Sequence, residues 1–246
     1  SSVTALSGGG FIVAYQSLDL SRMSYGISAQ RYNASGSPAG SEFLINKTES
    51  GSQVDVRLAA LDNGGFAAVW SDSGNDGSGY GIFGRRFDAS GTAIDANDFQ
   101  VNSTISGTQA DAGVTGLSDG GFVVTWTSAS ASGDSSGFGV VGQRFDASGN
   151  KIGTEFLVNT TTANAQKYSY LTALNDGDFV VAWSSDLQAG DNSQLGVYAQ
   201  RFASPNPSGT VTTTDHAVSK VTSSSTGEAP FGSNVSFGVG LSLIHI

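Results

Sequence analysis

Acidic and amide side chains gather in Gly- and Ser-rich segments that follow strongly apolar runs of the sequence. One segment reads SDSGNDGSGY and another reads SSDLQAGDNSQL. Calcium takes about six to eight oxygen ligands from a loop that bends sharply, so oxygen donors spaced by Gly favour that ion. Their order matches neither an EF-hand loop nor the nonapeptide of a calcium β-roll, and Asp in such a loop commonly caps a turn instead. The candidate calcium ligands are Asp72, Asn75, Asp76, Asp134, Asp186 and Asp191.

Aromatic side chains beside these segments suggest a second kind of site, because a flat ring can stack on a sugar. Tyr25, Tyr80 and Phe138 each stand directly before a Gly, and we predict that they are exposed and bind ligand in a lectin-like site. A second aromatic column closes each apolar run, a position that favours packing between units over sugar binding. This column consists of Tyr15, Trp70, Trp126 and Trp183.

Catalysis finds little support in the residue types available. No Cys occurs, which removes thiolate nucleophiles, thiolate zinc sites and disulfides together. The two histidines, His216 and His245, follow the repeated part of the chain, so no His is available there for a Ser-His-Asp triad or a zinc site. Paired carboxylates for glycoside hydrolysis stay open as an alternative, because recurring Asp residues can converge across a ring. We assign no catalytic residue and no cofactor other than calcium.

The charge balance bears on the partner. The net charge is −10, and the isoelectric point lies near 4.3. Without a basic patch the chain has nothing to neutralise phosphates, which argues against nucleic acid and anionic membranes as partners. No apolar run approaches the length of about 18 residues that spans a bilayer, so membrane insertion is not expected. An extracellular glycan or a protein surface fits better.

The elements that position these residues recur four times, at a period of about 56 residues. Each unit carries a Gly-Gly-Phe or Gly-Asp-Phe turn, an apolar run, an aromatic-Gly or Leu-Gly step and an Arg-aromatic pair. The first three units end in FLIN, FQVN and FLVN. The units span about 1–52, 53–109, 110–166 and 167–204.

We predict four short strands, A to D, in each unit. Asn-Gly and Asp-Gly pairs between A and B supply the positive φ of tight hairpins. Strand B is apolar without alternation (FIVAY, FAAVW, FVVTW, FVVAW), as in strands buried on both faces. The predicted A strands are Val3–Leu6, Val56–Leu61, Val114–Leu117 and Tyr170–Leu174, and the B strands are Phe11–Tyr15, Phe66–Trp70, Phe122–Trp126 and Phe179–Trp183.

A hairpin of strands C and D, closed by an Asn- or Asp-Ala-Ser-Gly turn in the first three units, brings opposite charges into nearly mirrored positions. This spacing predicts cross-strand pairs of an Arg with a carboxylate, with a structural rather than a functional role. The predicted pairs are Arg31 with Glu42, Arg86 with Asp98 and Arg144 with Glu155.

Four-stranded antiparallel units of this size, buried on both faces by their neighbours, are blades of a β-propeller. The runs GGFVVTW, YGIFGRRF and TEFLVNT resemble repeats of large secreted bacterial calcium-associated proteins, including RTX-type adhesins and hemolysin-type calcium-binding proteins. The resemblance covers residues 1 to about 204. It implies a propeller-like array in a secreted or cell-surface bacterial protein. With three full units and one that lacks a clear D strand, the ring is expected to be incomplete unless a later strand completes the fourth blade.

The remaining residues are predicted to lie outside the repeats. Residues 205–240 are rich in Ser, Thr and Gly and have the composition of a linker, with Val211–Thr214 as the candidate D strand of the fourth unit. Residues 241–246 resemble the translation of a sequencing-library adapter and are expected to be an artefact. Since the chain opens on Ser1 within a repeat, we expect it to be a piece of a larger polypeptide.

The function that these patterns favour is a non-enzymatic structural or adhesive binding module, with calcium in the B–C loops as a further expectation. The alternatives are a glycan-degrading propeller enzyme, either a hydrolase or a lyase, and a lectin-like carbohydrate-binding propeller. An enzyme is expected to gather non-repeating polar residues at one end of the axis. A scaffold is expected to keep equivalent residues in every blade.

Overall fold

A computed structural model describes residues 1–20, 23–134, 137–186 and 195–203. These residues form β-strands and turns, and no helix long and apolar enough to cross a membrane occurs among them. The first two sheets contain β1 (Ser2–Ala5), β2 (Phe11–Asp19), β3 (Ser24–Tyr32), β4 (Phe43–Leu44), β5 (Gln53–Ala60), β6 (Phe66–Ser73), β7 (Tyr80–Phe87) and β8 (Phe99–Gln100). The last two contain β9 (Gln109–Gly116), β10 (Phe122–Ser128), β11 (Gly139–Phe145), β12 (Lys151–Leu157), β13 (Gln166–Ala173), β14 (Phe179–Asp186) and β15 (Leu195–Phe202).

Each repeat unit forms one antiparallel sheet, and each sheet is a blade of a propeller-type array, as the repeat predicts. Strand order within a blade follows the chain. The first strand of each blade lies innermost, since β1, β5, β9 and β13 pack against one another in succession. Three blades have four strands and the fourth has three described strands. The predicted fourth strand, Val211–Thr214, lies outside the described residues, as do the rest of the segment 205–240 and residues 241–246.

The hairpins between the first two strands form as predicted. In the second and third blades the hairpin turn contains a Gly in the left-handed region, with φ of 86° at Gly64 and 83° at Gly120. The side chain of Asn63 accepts a hydrogen bond from the backbone N–H of Gly65 at 2.9 Å, and Asp119 does the same for Gly121 at 2.9 Å. Asn-Gly and Asp-Gly chemistry therefore sets the register of the innermost strand pair.

Neighbouring blades share apolar cores built from aromatic rings. A Phe from the outer strand of one blade packs on a stacked pair of rings in the next: the centroid of Phe43 lies 5.9 Å from that of Phe87, which stacks on Phe66 at 4.9 Å. The same triplet recurs at each later junction. The triplets are Phe43 with Phe66 and Phe87, Phe99 with Phe122 and Phe145, and Phe156 with Phe179 and Phe202.

The prediction that the second strand of each blade is buried on both faces is confirmed for the two middle blades only. In β6 every residue but the last is buried, and in β10 all are buried. In β2 and β14 burial alternates, so one face of each terminal blade is only partly covered. The Trp column packs between blades, as expected for its position: Trp70, Trp126 and Trp183 are all buried in the junction cores.

The predicted cross-strand pairs of Arg with Glu or Asp are wrong. Arg86 pairs with Asp95 at 2.6 Å, and Arg144 pairs with Asp119 of its own blade. Arg31 donates instead to the carbonyl oxygen of Ser90 in the second blade, at 2.6 Å. Phe99 pairs with Gly84 and Phe156 pairs with Gly142, so each acid comes opposite the residue before the Arg and not opposite the Arg itself. The hairpin spacing also says nothing of the neighbouring blade that each side chain reaches.

The acidic partners named in those pairs reach backwards along the array. Asp98 accepts backbone N–H bonds from Lys47 and Thr48 at 2.7–3.0 Å, and Glu155 accepts from the backbone of Ser103 and Thr104. Each acid thus caps the end of the outer strand in the preceding blade, where donors would otherwise lack a partner. Glu42 in the first blade accepts from the hydroxyl of Tyr15 at 2.7 Å.

Candidate functional site

Three residues near the start of the innermost strands have a strained backbone conformation. Asp55, Asp111 and Tyr168 have φ of 56°, 55° and 57°, in equivalent places of the second, third and fourth blades. The ladder register between the first and second strands shifts at this point in each of these blades. A β-bulge with a non-Gly residue in the left-handed region costs free energy, and such bulges re-aim a side chain.

The bulges lie on the innermost strands at the end of the array that carries the B–C loops, because the start of each inner strand pairs with the end of its second strand. Two of the three bulges are also bonded to the preceding blade. The backbone N–H of Asp55 donates to the side chain of Gln16 at 3.3 Å, and that of Tyr168 donates to Thr127 Oγ1 at 3.2 Å. The junctions between blades therefore hold the bulges at Asp55 and Tyr168 in place.

The charge environment makes Asp111 the unusual member. Partial burial, followed by the negative charge of Asp55, raises the pKa of the Asp111 carboxyl. A hydrogen bond from Thr127 and the positive charges of Arg57 and Lys167 oppose that rise without cancelling it. A carboxyl that keeps its proton more readily, with a second carboxylate near it, is an arrangement that acid–base chemistry can use.

Aromatic and cationic groups complete this axial site. The ammonium of Lys167 lies 4.2 Å from the ring centroid of Phe138, so the predicted ligand-binding Phe138 is held beside the axial residues by a cation–π contact. Tyr168 and Tyr170 are both largely exposed. We define the axial site as Asp55, Arg57, Asp111, Phe138, Lys167, Tyr168 and Tyr170.

The residues at the axial positions change within the array. The second, third and fourth units each have a Gln at the start of the inner strand: Gln53, Gln109 and Gln166. Two places after it stand Asp55, Asp111 and Tyr168, and two places further stand Arg57, Gly113 and Tyr170. Sequence reasoning missed this group because the A strands were predicted to begin at Val56 and Val114. The signal that could have found the axial site is an Asp two residues after the Gln, inside a strand rather than a turn.

Asp111→Asn is expected to increase the free energy of unfolding at pH 7, by an amount that shrinks as the pH falls to 4. The folded chain binds the Asp111 proton more tightly than the unfolded chain does. The contribution of Asp111 therefore lowers the free energy of unfolding as the pH rises above the unfolded pKa of about 3.9. Asn removes the titration and tolerates the left-handed backbone. Urea unfolding at both pH values measures the difference.

The matched control is Asp88→Asn, which has the opposite sign. Hydrogen bonds from Ser90 and the backbone of Thr92 lower the pKa of the Asp88 carboxyl, so its contribution is present at pH 7 and is lost as the pH falls. The control variant is therefore expected to be less stable than the parent at pH 7. Shifts of the same sign in both variants would contradict this assignment of the pKa changes.

The structure places the predicted calcium ligands in separate environments. Asp72 is buried, and its carboxylate accepts from the side chains of Asn75 at 2.5 Å and Gln53 at 3.1 Å; burial raises its pKa. Asp76 is also buried: one carboxylate oxygen accepts from the backbone of Ser78 at 2.9 Å, while the other has no hydrogen-bond partner among the residues that the structure describes.

In the third blade, Asp134 is buried and accepts from the side chain of Asn159 at 3.1 Å. Asp186 closes β14 and its backbone N–H donates to Ala165 at 2.9 Å, whereas Asp191 lies outside the described residues. Within the described ranges no group of three acidic or His side chains stands close enough to hold a metal ion. Calcium in these loops stays a prediction, which thermal melting with calcium and with chelator would test.

The two tyrosines predicted to bind ligand hold in the first and second units the place that Phe138 holds in the third. Tyr25 is exposed and lines a shallow cavity of about 100 Å³ between the first and second blades, with Asp19, Glu49 and Leu44 also in its wall. Tyr80 is half-buried at the start of β7. A role for these two residues in binding stays a prediction.

Comparison with known proteins supports the architecture. No family model matches the sequence, and no curated protein matches it. Among solved structures, the chain is similar to a thermostable family-43 glycoside hydrolase (TM-score 0.54, 10% identity, 88% of this chain and 74% of that one). It is also similar to a Penicillium chrysogenum α-L-arabinanase complexed with arabinobiose (TM-score 0.58, 13% identity, 84% and 62%) and to an endo-arabinase from Bacteroides thetaiotaomicron (TM-score 0.53, 14% identity, 87% and 77%). At these identities the likeness concerns the fold alone.

Proposed function

We propose that this chain is a glycan-binding propeller module of a secreted or cell-surface bacterial protein, with an adhesive role, and that a sugar chain binds at the axial site. The observation that carries the proposal is the pair of strained carboxylates, Asp55 and Asp111, held on neighbouring inner strands beside exposed aromatic rings. Carboxylates accept hydrogen bonds from sugar hydroxyls, and Tyr rings stack on the apolar face of a sugar.

Two further points support a ligand site at the axis rather than in the loops. The residue at the bulge changes within the array, from Asp in the second and third blades to Tyr168 in the fourth, and such a change is the pattern expected of a site rather than of a scaffold. The solved structures of similar fold include glycan-processing proteins, one of them an α-L-arabinanase in complex with arabinobiose. Arabinan and a broad glycan array are therefore the first probes.

Tyr168→Ala is expected to weaken glycan binding about tenfold, the loss that follows from removing one stacking contact of about 1.4 kcal/mol. Tyr80→Ala is the matched control, because Tyr80 is an aromatic outside the axial site, and its binding is expected to equal that of the parent. Titration of the best array hit by calorimetry measures both. Equal affinity in Tyr168→Ala and the parent would exclude the axial site, and loss in Tyr80→Ala alone would favour the loop site.

Glycan hydrolysis is the second candidate, favoured by the raised pKa of Asp111 beside Asp55. In this reaction protonated Asp111 donates its proton to the glycosidic oxygen as the bond to the anomeric carbon breaks. Water adds at that carbon with Asp55 as base, and its proton passes to the carboxylate. Release of reducing sugar from arabinan, abolished in both Asp111→Asn and Asp55→Asn, would support it. Binding without release would leave the module as a non-enzymatic binder.

A further inference from the structure

The first blade presents to solvent a face that the other blades press against a neighbour. Val3 of β1 is 62% exposed, whereas its counterparts Leu58 and Val114 are 8% and 9% exposed. Along β2 the side chains of Phe11 and Val13 on this same face are only partly buried, whereas their counterparts in β6 and β10 are fully covered. We call this surface the leading face; it consists of Val3, Phe11, Val13, Tyr15, Tyr32 and Glu42.

The leading face carries a ring stack of the kind that receives a Phe elsewhere. Phe11 and Tyr32 stack with centroids 4.9 Å apart and planes 11° apart, as Phe66 and Phe87 do at 4.9 Å and 5°. In the second blade the ring of Phe43, from the preceding outer strand, closes that stack. No third ring packs on Phe11 and Tyr32 among the described residues.

The acidic cap is repeated on the leading face as well. Asp98 and Glu155 each bind the backbone N–H groups that follow an Asn at the end of the preceding outer strand. Glu42 stands at the corresponding position before β4, is exposed, and accepts a hydrogen bond from Tyr15 instead. Its interaction with Tyr15 raises the pKa of that Tyr to about 12.

The turn that receives an Arg from the preceding blade is the third repeated element. Arg31 donates to Ser90 at 2.6 Å and Arg86 donates to Ala147 at 2.8 Å, both in the Asp-Ala-Ser-Gly turn of the following blade. Asn33-Ala34-Ser35-Gly36 forms the same turn in the first blade, with the Asn33 side chain accepting from the backbone of Ser35 and Ser37.

We propose that the leading face is an interface for one further blade of this same repeat. The strand that such a blade presents has the pattern Phe-x-x-Asn, preceded in its sheet by an Arg. Its Phe closes the Phe11–Tyr32 stack, its backbone N–H groups after the Asn bind Glu42, and its Arg reaches the Asn33 turn. The apolar residues, the acid and the turn each have an occupant of that chemistry at the junctions within the chain, so the surface continues an interface that the molecule already forms.

The absence of Cys from the sequence allows a direct test by thiol labelling. Val3→Cys is prepared in the parent chain and in a chain extended by a copy of its own residues 53–111 placed directly before Ser1, so that Ser1 follows Asp111 as Ala112 does. Maleimide labelling of the thiol is expected to be at least about tenfold slower in the extended chain, approaching the rate of Leu58→Cys in the parent. Ile94→Cys, exposed and outside the leading face, is the control and labels equally fast in both chains.

A second variant separates docking from mere proximity. Glu42→Ala is expected to lower the melting temperature of the extended chain by about as much as Asp98→Ala lowers that of the parent, and to change the parent itself less. Equal labelling of Val3→Cys in both chains, with or without added β-structure in circular dichroism, would overturn the proposal. Protection in the parent that grows with concentration, together with a dimer in sedimentation, would assign the leading face to a second copy and would overturn it too.

Discussion

Trp126→Ala is expected to lower the free energy of unfolding by about 3 to 5 kcal/mol, the cost of emptying a large, fully packed aromatic site. Trp126 is 1% exposed and lies in the core shared by the second and third blades, with Val69 and Ile82 across the junction. Because two blades lose contacts at once, the loss concerns the junction as well as the blade. Urea unfolding followed by circular dichroism measures it.

Tyr15→Ala is the matched control for that loss. Tyr15 holds in β2 the position that Trp126 holds in β10, but it lies on the partly uncovered face. Its removal leaves a dent in the surface rather than a closed cavity, so the expected loss is well below that of Trp126→Ala. Equal losses in the two variants would mean that the aromatic column acts within each blade and not between blades.

Gly116→Ala is expected to destabilise the array by about 2 kcal/mol or more, through a clash between inner strands. A Cβ at Gly116 would lie 2.2 Å from the carbonyl oxygen of Ala60 in the neighbouring blade. That oxygen belongs to the backbone, so relief requires the two blades to move apart, and overpacking of this kind costs about 1 to 3 kcal/mol or more. Thermal melting measures the effect.

Gly8→Ala is the control, since a Cβ at Gly8 meets no heavy atom within 4 Å. Its melting temperature is expected to equal that of the parent. If Gly116→Ala also melts with the parent, the close approach of the inner strands does not limit the packing of the blades.

Much of the fold could be predicted from the sequence, because its signals are local. The unbroken apolar runs at Phe66–Trp70 and Phe122–Trp126 required strands covered on both faces, and Asn-Gly and Asp-Gly pairs required tight hairpins. The all-β array of four units followed from their recurrence. The same runs in the first and fourth units carried the same expectation, which fails on one face of each because coverage depends on a neighbouring blade.

The contacts between blades could not be predicted, since nothing in one unit's spacing shows which residues of another it meets. Arg86 and Asp98 have the spacing of partners, yet one side chain reaches forward to a turn and the other backward to a strand end. The axial site was missed for a related reason. A regular strand would point the side chains of Asp55 and Asp111 in another direction, but each residue lies in a bulge that changes the course of the backbone. At Asp55 this bulge is bonded to the preceding blade.

The caps formed by Asp98 and Glu155 have a consequence for how such arrays evolve. Both acids bind main-chain N–H groups, which are present whatever the side chains of the preceding unit, so a cap does not depend on the identity of the unit before it. A duplicated or exchanged gene segment that encodes one unit therefore supplies an acidic cap that is compatible with any preceding unit. Recombination can therefore change the length of the array without altering this cap, whereas the Phe ring that packs on each stacked pair still has to come from the preceding unit.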